Sequence, residues 1–345
     1  MKKIYLGTLV IIAILIGTLL VLLNTSPSLH GWQTAQTQTR AKPGQVRVTY
    51  LGTATLLISD GKTRLLTDGY FSRAGLGKVL FGKLAPDAAR IDRSLKQAGI
   101  THVDDIMVLH SHFDHAMDSA EVAKRTGARL LGSASTVMVA RGAHLPAARI
   151  TRVTPGKPYH FGDFTVTFVP ARHVPLPAPV EALTGKGEIT RPLVPPAPVG
   201  AWQEGQCYAL VIHHPNGSLL VVGSAGYVPG ALQGYQADYA FIASASLGKQ
   251  STAYQQAFFD NTVKAVGADT VIPVHWDNFF TELSPRVQPL PWLLDNMGAS
   301  FHALADRLHG NFLVLPPLKT LILNSPTADA AAQDERQSPP ATPAS

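Results

Sequence analysis

The chain has 345 residues, of which 46% are hydrophobic and only 15% charged. This composition supports one large hydrophobic core or two small ones and excludes an intrinsically disordered chain. The single cysteine, Cys207, excludes a disulfide framework, and the net charge of +6 is spread without a basic cluster beyond Lys2-Lys3, so we expect no nucleic-acid partner.

The N-terminus has the pattern of a membrane anchor. After Lys2 and Lys3, residues 4–23 contain no charged side chain, and a helix rising about 1.5 Å per residue would span the roughly 30 Å core of a bilayer over that length. Because this run is longer than the apolar part of a typical cleaved signal sequence, residues 1–23 are predicted to be an uncleaved transmembrane anchor, with a cleaved signal sequence as the alternative. Since basic residues tend to stay in the cytoplasm, the rest of the chain is expected on the exported, periplasmic or extracellular side.

The remaining chain divides into three parts. Residues 24–45 are predicted to be a flexible tether and residues 325–345 a disordered tail, because both are rich in polar residues and proline. Residues 46–324 are predicted to form one domain. Its strand patterns come first in pairs and then alternate with helical patterns in each half, which favours an α/β sandwich with helices outside two central sheets.

The residues that carry chemistry follow a predicted buried strand at 106–109. They are His110, His112, Asp114 and His115, within the string His-Ser-His-Phe-Asp-His. Alternation places His110 and His112 on the same side, so both can reach one cation, while Asp114 and His115 can reach a second. A polar loop without a ligand is the alternative, but the position at a strand end favours a metal site.

This string resembles the motif that defines the metallo-β-lactamase superfamily. Further motifs of that family are matched along residues 46–322 by Tyr50-Leu51-Gly52-Thr53-Ala54-Thr55, Leu66-Thr67-Asp68-Gly69, Pro170-Ala171-Arg172-His173 and Pro273-Val274-His275-Trp276. The resemblance implies a four-layer αββα sandwich and a metal-dependent hydrolase. It also implies that His173 completes a first zinc site with His110 and His112, that His275 completes a second with Asp114 and His115, and that Asp68 supports the site from behind the ligands.

One position departs from the family pattern. Ser224 stands at the candidate bridging position, where the family usually has an Asp whose carboxylate joins the two metals. A neutral hydroxyl is a poor zinc ligand. Because the six other ligands are all present, we expect two zinc ions with three protein ligands each; a single zinc ion and an inactive site are the alternatives. Because histidine and aspartate also suit iron and manganese, the identity of the metal stays open.

The expected mechanism uses a zinc-bound hydroxide, with Asp114 as the catalytic residue that orients it. The motifs look nearest to the branch containing the N-acyl-phosphatidylethanolamine-hydrolysing phospholipase D and the ascorbate-phosphate lactonase. With the anchor and a Pro-rich stretch at 171–206 that is expected to cross the site, this favours an ester or phosphodiester of an amphipathic, lipid-like substrate. A lactonase or β-lactamase acting on a small molecule is one alternative, and a non-catalytic binding domain is another; no protein partner is predicted.

Overall fold

The computed structural model describes residues 2–36 and 42–323, with side chains from residue 11 onward. The predicted tail at 325–345 lies outside these residues.

Two seven-stranded sheets lie at the centre of the domain. The first sheet contains, in spatial order, Thr320–Ile322 (β14), Arg47–Tyr50 (β1), Leu56–Ser59 (β2), Arg64–Thr67 (β3), Asp105–Met107 (β4), Arg129–Gly132 (β5) and Ile150–Arg152 (β6). The second sheet contains, also in spatial order, Asn311–Phe312 (β13), Thr270–Val274 (β12), Tyr239–Ala243 (β11), Gly217–Val222 (β10), Cys207–His214 (β9), Phe164–Ala171 (β8) and Pro158–Phe161 (β7).

Helices connect these strands. They are Lys2–Asn24 (α1), Leu76–Phe81 (α2), Ala88–Gln97 (α3), Phe113–Ala116 (α4), Ser119–Thr126 (α5), Ala134–Gly142 (α6), Ala178–Thr184 (α7), Thr252–Asn261 (α8), Val263–Val266 (α9) and Met297–Ala305 (α10). Several begin at capping side chains; the side chains of Asp87, Ser133 and Ser251, for example, accept from the backbone N–H three residues later.

The two faces of the second sheet pack against different layers. In β9, Leu210 and Ile212 join the core cluster shared with the first sheet, whereas Val211 joins the cluster that includes Phe258 of α8 and Leu304 of α10. This alternation follows from the period of two along a strand. On the first sheet, α5 and α6 pack against β4 and β5. The predicted α/β sandwich with helices outside two sheets is therefore confirmed.

Two features of the structure differ from the expectations: one predicted helix is divided in two, and part of the predicted tether is packed. Helical periodicity at 252–266 predicts one helix, but Thr262 has a φ of −124° and a ψ of −88°, and this residue separates α8 from α9. The expected flexible tether, described at residues 24–36 and 42–45, packs on the domain at Ala35, which is buried and whose N–H donates to Val314 O at 2.9 Å. Trp32 also contacts Phe301 edge to face at 5.2 Å. The apolar Trp32 and Ala35 explain this packing, since both gain from burial.

Helix α1 covers the predicted anchor. Its apolar side chains between residues 11 and 21 are exposed. In the part of the chain that the structure describes, no helix reaches the length and apolarity needed to cross a membrane. The transmembrane part of the prediction is therefore not supported; the side chains of residues 2–10, on which it partly depends, lie outside the described ones.

The core makes a direct prediction for stability. Phe168 is fully buried between the sheets and contacts Tyr159 and Tyr208 edge to face, so Phe168→Ala is expected to lower the free energy of unfolding by about 3–5 kcal/mol. The matched control is Phe81→Ala, because Phe81 is 90% exposed and its loss should change that free energy by at most about 0.5 kcal/mol. Urea denaturation of both variants checks this; equal destabilisation would contradict the packing described above.

Candidate metal centre

The candidate site lies where strands of both sheets end at one edge of the sandwich. Strands β3 and β4 run parallel, so Asp68 and His110, which follow them, lie at the same edge. In the second sheet β10, β11 and β12 are parallel, and β8 runs in the same direction because β9 is antiparallel to both β8 and β10. His173, Ser224 and His275 follow β8, β10 and β12. Residues far apart in sequence are thus held together by rigid strand ends.

Three histidines form the first group. The ring centroids of His110, His112 and His173 are 4.8 to 5.2 Å apart. One nitrogen from each ring lies within 4.8 Å of the others, and His110 Nε2 is 3.2 Å from His112 Nδ1. This spacing allows all three rings to bind one ion after small side-chain adjustments.

Hydrogen bonds to the other ring nitrogens determine which nitrogens are free. His112 Nε2 lies 3.2 Å from the carbonyl oxygen of Gly185, and His173 Nδ1 lies 2.8 Å from that of Val174. Because a carbonyl oxygen only accepts, these nitrogens carry the proton of the neutral ring and donate it. The lone pairs on His112 Nδ1 and His173 Nε2 are therefore available to a metal ion.

The second group consists of Asp114, His115 and His275. Asp114 Oδ2 is 3.2 Å from His275 Nε2 and 4.0 Å from His115 Nε2. His115 Nδ1 donates to Asp68 Oδ2 at 2.7 Å, and Asp68 Oδ1 accepts from the N–H of Leu109 at 2.8 Å. Asp68 lies behind His115 and directs its other nitrogen toward the group, an arrangement typical of carboxylates that support metal-bound histidines.

The two groups adjoin, and their electrostatics favour a cation. The rings of His110 and His115 are 3.8 Å apart. Burial and the neighbouring histidines hold the pKa of His110 well below its usual range, and burial with the nearby His173 lowers the pKa of His112 to about 3. Burial raises the pKa of Asp114, but His115 and His275 outweigh it and the pKa is lowered. The first group therefore offers unprotonated nitrogens and the second an ionised carboxylate, the state that metal binding requires of these donors.

The donor set fits divalent metal ions. Three imidazoles in one group, and two imidazoles with a carboxylate in the other, match ligand sets that zinc and iron accept. His275 Nδ1 is buried and has no hydrogen-bond partner among the described residues, and its Nε2 lies in the second group. The structure brings together all six residues that the sequence analysis singled out as ligands.

Ser224 lies at the site but is engaged elsewhere. Its hydroxyl oxygen accepts from the N–H of Val174 at 3.0 Å, which ties the loop after His173 to the end of β10. Ser224 also lines the cavity beside Asp114 and His275.

A third group of potential ligands differs in chemistry. Asp60, Asp163 and His214 come together where turns of the two sheets meet. His214 Nδ1 accepts from the N–H of Asn216 at 3.1 Å, so the neutral ring carries its proton on Nε2, which faces Asp60 Oδ2 at 3.6 Å. A protonated nitrogen cannot bind a metal, and we read this group as a polar contact between the sheets.

Sequence reasoning missed the buried support behind His275. Asp277 accepts from the Tyr50 hydroxyl at 2.6 Å and from the Thr53 N–H at 2.8 Å, and it pairs with Arg73 at 2.5 Å. Burial opposes ionisation of Asp277, but Arg73 outweighs it and the pKa is lowered. The N–H of His275 in turn donates to Thr53 O at 2.6 Å. A carboxylate two residues after a ligand is the sequence signal, but its partners are not visible without the fold.

Two cavities meet at His112 and His173. One, of about 280 Å³, ends at Asp114 and His275 and is otherwise lined mainly by apolar side chains from α2, α7 and residues 279–294. The other, of about 420 Å³, is more polar and includes Arg172 and the Lys186–Glu181 ion pair. The Pro-rich stretch supplies part of both walls, as expected, through residues between Arg172 and Lys186 and through Glu204.

The loop that carries His173 depends on a glycine. A Cβ atom at Gly226 would lie 2.2 Å from Arg172 O and 2.5 Å from His173 O, so Gly226→Ala must displace His173. We expect about 10–100-fold weaker zinc binding to the first group, comparable to the loss of a supporting residue, measured by competition with a chromophoric chelator. The control is Gly77→Ala, where nothing lies within 4 Å; unchanged affinity in Gly226→Ala would contradict a ligand role for His173.

Comparison with known proteins gives the same assignment. A family model for the β-lactamase superfamily domain matches residues 63–276. A UPF0173 metal-dependent hydrolase of Anaeromyxobacter sp. (strain K) is 32% identical over 140 residues, which are 39% of this chain and 46% of the relative. Another, from Agrobacterium fabrum (strain C58 / ATCC 33970), is 29% identical over 130 residues, 37% of this chain and 48% of the relative. The chain thus spans about half the length of the curated relatives it matches.

Solved structures share the fold at low sequence identity. The metallo-β-lactamase fold protein YhfI from Bacillus subtilis has a TM-score of 0.51 at 13% identity, covering 81% of this chain and 99% of that one. An isothiocyanate hydrolase from Delia radicum gut bacteria has a TM-score of 0.50 at 13% identity, covering 81% and 100%. Because the family model spans more than half of the sequence and includes all six candidate ligands, the chain belongs to the β-lactamase superfamily domain family.

Proposed function

We propose that this chain is a metal-dependent hydrolase that uses two divalent ions, zinc in the first instance. The observation that carries the proposal is the convergence of six donors, five of them buried and His173 half-buried, in two adjoining groups at the end of a cavity. The metal-dependent hydrolases among its relatives support the same reaction class. A non-catalytic domain would not need two complete ligand groups at a cavity.

The chain's own residues supply orientation and charge. When bound, divalent ions supply Lewis acidity and make hydroxide available at neutral pH. The ionised Asp114 faces the cavity, where its oxygens can accept a hydrogen bond and orient the attacking water. Asp68 keeps His115 in one orientation. The buried Asp277 accepts from the N–H of Thr53, whose carbonyl oxygen accepts from the N–H of His275, and so fixes the backbone at His275. We therefore assign Asp114 the catalytic role and Asp68 and Asp277 positioning roles.

The substrate that best matches the two cavities is amphipathic. A scissile ester or phosphodiester at the metal groups would have the apolar cavity on one side and the polar cavity with Arg172 on the other. An acyl chain gains about 0.8 kcal/mol for each CH₂ group removed from water, whereas a charged headgroup needs polar partners such as Arg172 and Lys186. The motif resemblance to the phospholipase D and lactonase branch supports the same substrate class. A lactone or β-lactam of small size is the second candidate.

We also propose that residues 1–23 anchor the domain to a membrane, with the catalytic domain on the exported side. The support is the uncharged run at 4–23 after Lys2-Lys3 and the exposure of the apolar side chains of α1 between residues 11 and 21. Without such a partner, an exposed apolar helix is unfavourable in water.

Removing a ligand tests the reaction. His112→Ala is expected to lower kcat/KM for ester or phosphodiester substrates by at least about 100-fold, since a site that loses one ligand binds and positions its metal poorly. His213→Ala is the matched control, because His213 is an exposed histidine of β9 and its loss should leave kcat/KM unchanged. Steady-state kinetics on both variants decide; full activity in His112→Ala would contradict the mechanism.

Ser224 gives a second test. Ser224→Asp places a carboxylate beside Asp114 and His275, and we expect about tenfold tighter binding of the second ion, about 1.4 kcal/mol. Ser224→Asn controls for size without the charge. Isothermal titration with Zn²⁺ measures both variants; equal affinities in the Asp and Asn variants would show that position 224 does not reach the metals.

A further inference from the structure

Large apolar side chains are exposed around the mouth of the apolar cavity. We call Leu80, Phe81, Val180, Trp292 and Leu293 the apolar rim. Phe81 is 90% exposed and Trp292 42%, and the other three are about 40% exposed. Single exposed apolar residues are common, but a group of this size at one opening marks an interaction surface.

The rim belongs to the cavity that ends at the metal groups. Leu80 and Val180 line the cavity directly, and Trp292 and Leu293 lie between Leu290 and Leu294, which also line it. Three separate parts of the chain (α2, α7 and the segment before α10) therefore present apolar side chains at one opening.

Helix α1 leaves the domain at the same place. The N–H of Trp292 donates to Thr25 O and that of Leu293 to Leu22 O, both at 3.0 Å. From this junction α1 extends with apolar side chains exposed around most of its circumference, listed from residue 11 as Ile11, Ile12, Ile14, Leu15, Ile16, Leu19, Leu20 and Val21. The surface of α1 and the rim are thus continuous.

Basic side chains flank the exposed part of α2. Lys78 and Lys83 are exposed on either side of Leu80 and Phe81, and among the described residues neither ammonium group has a carboxylate partner within ion-pair distance. Apolar side chains bordered by unpaired lysines are typical of a segment that lies in the interface of an anionic membrane, where each lysine adds electrostatic attraction. A symmetric dimer through this face would instead bring the lysines of both copies together.

We propose that the apolar rim docks on the surface of an anionic phospholipid bilayer, so that the apolar cavity opens toward the acyl chains. This deepens the proposed function, because it places the cavity where an amphipathic ester or phosphodiester resides. The contact itself depends only on the rim and on Lys78 and Lys83.

Tryptophan fluorescence tests the contact in the full-length chain. The chain is reconstituted into vesicles of phosphatidylcholine and phosphatidylglycerol whose acyl chains carry bromine, which quenches indole groups in the bilayer. We expect quenching in the unaltered chain and its loss in Trp292→Phe. Trp32→Phe is the matched control and should keep the quenching, because Trp32 is not part of the rim and its ring packs against Phe301. The double variant Lys78→Glu, Lys83→Glu should lower it in these anionic vesicles.

Quenching that is the same with and without Trp292, or absent throughout, would overturn the docking proposal. Concentration-dependent dimers in sedimentation, without quenching, would assign the rim to a second copy of the chain and overturn it as well. Metal content is measured on the same samples. No quenching with full metal content contradicts the docking alone, whereas a metal-free chain that is quenched contradicts the hydrolase and leaves the docking in place.

Discussion

The structure depends on the gathering of five imidazole rings and one carboxylate at a single edge of the sandwich, all of them buried except His173, which is half-buried. Burial lowers the pKa values of His110, His112 and His173. These rings therefore stay neutral and do not gain, by protonation, an additional N–H that could donate to a neighbouring ring. Buried polar groups without partners cost roughly 1–3 kcal/mol each. A divalent ion is the partner that relieves this cost for several rings at once, and the ends of rigid strands prevent the rings from moving apart.

The backbone around the site is strained, and a buried ion pair holds most of the strained positions in place. Thr53, Asp68, Arg73 and His275 have positive φ values of 43° to 57°, which are uncommon for residues other than glycine and cost of order 1–3 kcal/mol each. The buried Arg73–Asp277 pair holds three of them, since it binds the Thr53 N–H and lies two residues from His275. Stability of the fold and geometry of the site therefore share one set of contacts.

The sequence predicts the local part of this arrangement well and the distant part poorly. Strand periodicity and the string from His110 to His115 are local signals, because the strand and its loop are adjacent in sequence. His173 and His275 could be assigned only through the family resemblance. Arg73 and Asp277 are separated by 204 positions, and the apolar rim combines three segments of the chain. Both features result from the packing of the sheets, which the local periodicity of hydrophobic residues does not predict. The expected tether likewise packs because Trp32 meets α10 across the fold.

Metal stoichiometry tests the central claim most directly. The full-length chain, purified without chelator and supplied with Zn²⁺, is analysed for metal content per chain by elemental analysis. Two complete ligand groups predict two ions per chain, falling to one when either His112 or His275 is replaced by Ala. A content of one or none in the unaltered chain would contradict the assignment of His110, His112 and His173 to one ion and of Asp114, His115 and His275 to another.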